Sequence, residues 1–180
     1  DEEKETTAYH EAGHAIVAIK TDGADPVHKV TIIPRGRALG VTMQLPMDEK
    51  HGYSKPYVDG RLAILMGGRA AEMLIFDKMT TGAGNDIEQA TQIARKMVTE
   101  WGMSESLGPM TFGKKNDEVF LGREIQSQRN YSEVTARMID EEIAKIIRNA
   151  QKKSEEILKE NQELLHSMAK SLLKHETIDS

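Results

Sequence analysis

The chain has 180 residues and a net charge of −5, with 24 Lys and Arg against 29 Asp and Glu, which argues against a general nucleic-acid binder. It contains no cysteine, which excludes a disulfide framework and a metal site built on thiolates. Its longest apolar runs, such as Leu62 to Met66, are too short to cross a bilayer.

The first predicted helix runs from about Glu3 to Thr21, because apolar residues recur there at three- and four-residue spacing. Within it, His10-Glu11-Ala12-Gly13-His14 matches the pattern H-E-x-x-H. Positions i and i+4 share one helix face, so both imidazoles can reach one metal ion, with Glu11 placed to act as general base. The plainer alternative is two solvated histidines on an amphipathic helix. Because the acidic segment Asp1 to Thr6 runs straight into this helix, we expect a piece of a longer protein.

Two strands are predicted next, joined by a turn at Pro34 to Arg37. In the second, apolar residues alternate with small or polar ones from Leu39 to Leu45, which predicts a strand with its apolar face buried. It is either one arm of an ordinary hairpin or an edge strand beside the metal that pairs with an extended peptide. On the second interpretation, the peptide-binding residues would be Leu39, Gly40, Val41 and Thr42. Gly40 and Thr42 are expected to lie beside the active-site cleft, with an unpaired backbone edge of the strand facing it, and Gly40 is expected to leave room for the incoming peptide.

A zinc site of this kind needs a third protein ligand from elsewhere in the chain. A second helix is predicted from about Tyr57 to Phe76, and its Gly67-Gly68 pair indicates close contact with the first helix. This helix carries Glu72, whereas a third helix carries Asp86 in its first turn. Spacing alone leaves both carboxylates open as the third ligand. His51, in a polar loop, is more simply explained as a solvated residue.

Beyond residue 130 the composition changes to long, charged helical patterns with apolar stripes. We therefore expect one domain, with a core at 1–130 that contains the H-E-x-x-H helix and the edge strand, and a C-terminal helical part at 131–180. Such stripes also fit a non-catalytic helical module that holds an oligomer together. The intact Glu11 argues against that alternative.

Five segments, in order along the chain, resemble the motifs of the FtsH family of membrane-anchored, ATP-dependent AAA+ zinc proteases. They are Thr7 to Ala15, Ile33 to Gly36 with Leu39-Gly40, Gly67 to Glu72, Thr80 to Asp86, and Val119 to Arg123. The last segment looks more like the bacterial members than the mitochondrial ones. One position departs from the pattern, since His175 stands where a tyrosine-like residue precedes Glu176 to Asp179. The resemblance covers essentially the whole chain.

The resemblance implies a mainly α-helical, zincin-type peptidase domain with a small β-hairpin or sheet beside the active site and a C-terminal helical hairpin. It implies one Zn²⁺ per chain, held by His10, His14 and Asp86. Glu11 would act as general base, and Glu72 would lie nearby without binding the metal. Asp86 follows a glycine-rich loop, which suits a short and well-held carboxylate ligand.

The resemblance also implies a setting for the parent protein. It would lie in the bacterial inner membrane, with this domain on the cytoplasmic side, and would form a homo-hexamer. Transmembrane helices and an AAA+ ATPase module would lie outside this chain, which contains no G-x-x-x-x-G-K-[ST] phosphate loop. ATP would therefore bind only in the missing module. The expected substrates are unfolded, unstable and membrane proteins, and no nucleic-acid partner is expected.

Overall fold

A computed structural model of the chain describes residues 1–44, 52–113 and 131–179. These residues form α1 (Glu2–Lys20), β1 (Val27–Thr31), β2 (Val41–Gln44), α2 (Lys55–Phe76), a 3-10 turn (Thr81–Ala83), α3 (Gly84–Thr99), α4 (Glu133–Glu160), α5 (Gln162–His175) and β3 (Thr177–Asp179). The predicted mainly α-helical domain with a small sheet is confirmed. His51 and the segment Val119 to Arg123 lie outside the described residues. None of the helices described is long and apolar enough to cross a membrane.

The chain forms two compact units. The first contains residues 1–90 and 148–180, and the second contains residues 91–147. The second unit has its own apolar core, made by Ala94, Val98, Leu107, Ile139 and Ile143. The predicted boundary between residues 130 and 131 falls inside the second unit and stays a prediction.

Helix α1 is the centre of the first unit, since α2, α5 and β1 all pack against it. Every residue from Ala8 to Ala18 is buried. The core around α1 includes the fully buried side chains of Ile16, Leu165 and Leu172. Burying a side chain of this size contributes about 1.5–3 kcal/mol. Because the stretch that carries the two histidines lies inside this core, the alternative of solvated histidines is wrong.

Helices α1 and α2 touch backbone to backbone where Gly13 meets Gly67. A Cβ atom on Gly67 would lie 2.8 Å from the carbonyl oxygen of Gly13, and one on Gly13 would lie 2.7 Å from the Cβ of Ala71. Neither position accepts a side chain unless the helices move apart. The predicted close contact is therefore confirmed, and this packing offsets the helix propensity that glycine loses, roughly 1 kcal/mol per residue.

The small sheet has the strand order β2-β1-β3, and both pairings are antiparallel. Strand β2 is therefore an edge strand, which pairs with β1 alone in the part of the chain that the structure describes. Thr42 stands opposite Val30, whose side chain belongs to the core around α1. Because directly opposite residues project from the same face of a sheet, Thr42 also faces α1.

The apolar face of β2 is not the buried one, which corrects the prediction from the sequence. Leu39 and Met43 are 48% and 43% exposed. Thr42 instead bonds to Glu11, and the side-chain amide of Gln44 donates to the carbonyl oxygen of Asp25. The predicted alternation is correct, but the polar side chains point inward and the apolar ones outward. This is possible because both inward polar side chains have hydrogen-bond partners. Leu45, the predicted end of the strand, lies outside the described residues.

Replacing Gly13 with Ala is expected to destabilise the protein by about 1–3 kcal/mol or more, because the added methyl group overlaps the carbonyl oxygen of Gly67. Chemical denaturation followed by circular dichroism measures the loss. Gly84→Ala is the matched control, since this helical glycine has open space where its Cβ would go. Equal losses from the two variants would contradict the proposed importance of the contact.

Candidate metal centre

Two histidines of α1 direct their Nε2 atoms at the same place. His10 and His14 lie one helical turn apart, and their Nε2 atoms are 3.1 Å from each other. Both residues are only 8% exposed. Two imidazole nitrogens this close repel each other unless a proton or a metal ion lies between them, so the arrangement suits a shared cation.

Asp86 completes the cluster from the first turn of α3, directly after the 3-10 turn. Its Oδ2 atom is 3.0 Å from Nε2 of His10 and 3.1 Å from Nε2 of His14. Ligands of one tetrahedral zinc ion lie roughly 3.3–3.6 Å apart, given bond lengths of about 2.0–2.2 Å. Small outward shifts of the three side chains are therefore enough to admit an ion, and two imidazoles with one carboxylate are a donor set that zinc accepts.

Hydrogen bonds on the far side of each ring fix which nitrogen is free to bind a metal. Nδ1 of His14 donates to the carbonyl oxygen of Ile64 at 2.6 Å, and Nδ1 of His10 donates to Oε2 of Glu72 at 2.7 Å. Because both Nδ1 atoms carry the proton, both Nε2 atoms can present a lone pair to a metal ion.

Glu72 lies behind His10 and is 1% exposed. Its second carboxylate oxygen, Oε1, accepts a 2.6 Å hydrogen bond from the hydroxyl of Thr80, so both oxygens of this buried carboxylate are satisfied. Gly68 makes this arrangement possible, because a Cβ atom there would overlap the ring of His10. Glu72 therefore orients the ring from its Nδ1 side, while Asp86 approaches Nε2.

Without a metal ion, the carboxylates keep a proton on His10. Burial alone would lower the pKa of His10, but its hydrogen bonds to Asp86 and Glu72, together with the negative charges of Glu11 and Asp86, outweigh burial and raise this pKa to about 10. Burial would raise the pKa of Asp86, but its interactions with the rings of His10 and His14 hold this pKa well below the usual range of a carboxyl group. A metal ion that binds Nε2 of His10 must displace this proton, so metal affinity falls as the pH is lowered.

Glu11 lies beside the cluster and is held by strand β2. The residue is 7% exposed, and its negative charge contributes to raising the pKa of His10. The hydroxyl of Thr42 is 2.8 Å from Oε2 of Glu11 and 2.9 Å from its backbone carbonyl oxygen. A Cβ atom on Gly40 would lie 2.8 Å from Cγ of Glu11. Gly40 therefore leaves room for the side chain of Glu11, a reason that differs from the room for a peptide predicted above.

The structure thus brings His10, His14 and Asp86 together, with Glu11 and Glu72 against them, and their roles as metal ligands, base and orienting residue stay predictions. The sequence analysis missed two partners of the site. Thr80 could have been suspected, since it opens the Thr80 to Asp86 motif. Ile64 acts through its carbonyl oxygen, and a backbone contact leaves no signal in the sequence.

A buried H-E-x-x-H helix whose two histidines meet an aspartate from another helix is the kind of site that metallopeptidases have. The fold and the site together therefore define a mainly helical metallopeptidase. The comparison with protein families agrees, since the profile of peptidase family M41 matches residues 1–180. The chain belongs to this peptidase family.

Similar bacterial proteins carry the name ATP-dependent zinc metalloprotease FtsH. The one from Magnetococcus marinus is 57% identical over 180 residues, which are 100% of this chain and 27% of the relative. The one from Acidobacterium capsulatum is 59% identical over 180 residues, which are 100% of this chain and 28% of the relative. The chain thus spans little more than a quarter of the length of these relatives. The predicted resemblance to the bacterial FtsH family is confirmed.

Proposed function

We propose that this chain is the zinc-dependent endopeptidase domain of an ATP-dependent protease that degrades unfolded, unstable and membrane proteins. The observation that carries the proposal is the convergence of His10, His14 and Asp86 on one point, with the carboxylate of Glu11 buried beside them. The names of the FtsH relatives, which describe zinc metalloproteases, support it.

His10, His14 and Asp86 would hold the ion, and three protein ligands leave a fourth position open. When bound, zinc supplies Lewis acidity, which lowers the pKa of a water molecule and polarises a peptide carbonyl. Glu11 carries the proton transfers. Its carboxylate accepts a proton from the attacking water and returns that proton to the leaving amine nitrogen. Glu72 keeps Nδ1 of His10 protonated, so Nε2 stays available to the metal.

Digestion of casein by the purified chain, with a chelator and after zinc is restored, tests this function. Digestion is expected to require zinc. Glu11→Gln is expected to lose about 10²–10⁴-fold in rate while keeping its zinc, because it loses the base and no metal bond. Loss of zinc together with activity would contradict that role. Absence of any digestion by the zinc-loaded chain would favour the helical assembly module instead.

Asp86 and Glu72 are expected to differ when each is changed to its amide. Asp86→Asn should strongly weaken zinc binding, because a charged ligand oxygen becomes neutral. Glu72→Gln should lose about 10–100-fold in activity with zinc mostly retained, because only the orientation of His10 suffers. Competition with a fluorescent zinc chelator measures the affinities, and Asp59→Asn on the surface of α2 is the control. Weaker zinc binding by Glu72→Gln than by Asp86→Asn would reverse the assignment.

We further propose that the substrate binds as an added strand along Leu39, Gly40, Val41 and Thr42. Support comes from the position of β2 at the edge of the sheet and from the bond between Thr42 and Glu11, so a peptide lying along β2 would pass the base. The exposed side chains of Leu39 and Met43 would contact apolar substrate residues. Main-chain hydrogen bonds would provide most of the binding, which suits low sequence specificity.

A series of peptide substrates, each N-methylated at one position, tests strand addition. In an antiparallel pair, successive residues point their N–H groups alternately toward and away from the neighbouring strand. Methylation at every second position is therefore expected to raise KM by about 2–10-fold, the effect of one lost hydrogen bond. The positions between them serve as the internal control. An equal rise at all positions would rule out this binding mode.

For the parent protein we propose an AAA+ ATPase module that binds ATP, membrane-spanning segments and assembly into a homo-hexamer. We place it in the bacterial inner membrane, with this domain on the cytoplasmic side. The motif resemblance supports this proposal, as do the relatives named as ATP-dependent, of which the chain spans little more than a quarter. Sedimentation of the full-length protein in detergent should give the mass of six chains, whereas a monomer would contradict the ring.

A further inference from the structure

The hydroxyl of Thr42 makes the hydrogen bonds that connect strand β2 to Glu11. It lies 2.8 Å from Oε2 and 2.9 Å from the backbone carbonyl oxygen of the same residue. An ionised carboxylate and a carbonyl only accept hydrogen bonds, so Thr42 is the donor to both. Because a hydroxyl has one proton, the two acceptors share it.

Gly40, two residues before Thr42 in the chain, leaves the space in which the side chain of Glu11 lies. A Cβ atom there would lie 2.8 Å from Cγ of Glu11 and 3.0 Å from Cγ2 of Thr7. The side chain of Glu11 therefore fills the space that a larger residue would need. Thr42 therefore contributes a hydrogen bond to the side chain of Glu11, and Gly40, which directly precedes β2, leaves the space that this side chain occupies.

We propose that Thr42 is a positioning residue for the reaction, whose hydroxyl holds the carboxylate of Glu11 while its backbone belongs to the edge that would pair with the substrate. This inference rests on the proposed function, in which Glu11 transfers the proton. Because Thr42 donates to Oε2, the other carboxylate oxygen, Oε1, would be the one that takes this proton. A glutamate side chain has several rotamers in solution, and fixing one of them in advance lowers the entropy that the reaction must lose.

Holding the base on β2 also sets the position of a peptide added to that strand. The edge of β2 that has no partner in the described part of the chain would bind the peptide, while the inward face of the same strand holds Glu11. The distance from substrate to base then depends on one short strand of four residues, Val41–Gln44.

Kinetics of Thr42→Val and Thr42→Ser test the role, because valine keeps the shape of threonine and removes the hydroxyl. Thr42→Val is expected to lower kcat by about 10–100-fold with KM and bound zinc unchanged, as a misplaced base predicts. Thr42→Ser should recover most of kcat. A rise in KM with kcat unchanged would mean that Thr42 holds the substrate, and an equal defect in Thr42→Ser would mean that the hydroxyl is not responsible. Either result overturns the proposal.

Thermal unfolding of the metal-free chain provides a readout that does not depend on peptidase activity. Thr42→Val should lower Tm by about 2–4 °C when Glu11 is present, and clearly less in a Glu11→Ala background, because the bonded carboxylate is then already missing. Equal losses in both backgrounds would show that the hydroxyl bonds only the backbone carbonyl, which overturns the proposal. If the coupling is found in a chain without zinc-dependent digestion, the bond stands and the proposed peptidase function fails.

Discussion

The backbone contact between Gly13 and Gly67 sets the spacing of α1 and α2, on which the rest of the metal centre depends. At this spacing, three positions of α2 that lie four residues apart reach the histidines of α1. The carbonyl oxygen of Ile64 meets His14, Gly68 leaves room for the ring of His10, and Glu72 accepts its Nδ1 proton. If α1 and α2 lay farther apart, the Nδ1 atoms of His10 and His14 would lose these partners, and both rings could rotate. Two glycines with no polar side chain thus control where a metal ion can bind.

Much of the site could be predicted from the sequence, because the features that carry it are local. The H-E-x-x-H spacing places His10 and His14 on one helix face, and the predicted helix bounds differ from α1 by one residue at each end. The position of Asp86 beside the histidines could not be predicted in this way, since no spacing rule relates residue 86 to residue 10. Asp86 and Glu72 are both carboxylates on helices that pack near the histidines. Only the three-dimensional arrangement shows that Asp86 faces Nε2 and Glu72 faces Nδ1.

Which face of β2 is buried could not be predicted from hydrophobicity, for a related reason. Alternation identifies which residues share a face of a strand, but it does not say which face is inward. The apolar residues suggested burial, yet the inward side chains are polar, because Glu11 and the carbonyl oxygen of Asp25 satisfy Thr42 and Gln44. A hydrogen bond to a buried carboxylate is stronger than one between neutral groups, so this polar face is well stabilised. The result is an edge strand whose chemistry lies on the side where hydrophobicity alone would not have placed it.

One edge of β2 has no partner strand among residues 1–44, 52–113 and 131–179, and this has a consequence for how the chain behaves at high concentration. Free backbone N–H and C=O groups beside exposed apolar side chains are a template for pairing with the same strand of a second molecule. Many proteins protect such edges with lysine or proline, and Val41–Gln44 contains neither. The net charge of −5 contributes only a general repulsion between molecules. The edge that suits an incoming peptide therefore also makes the chain prone to aggregate through this strand, and occupancy of the edge should improve its solubility.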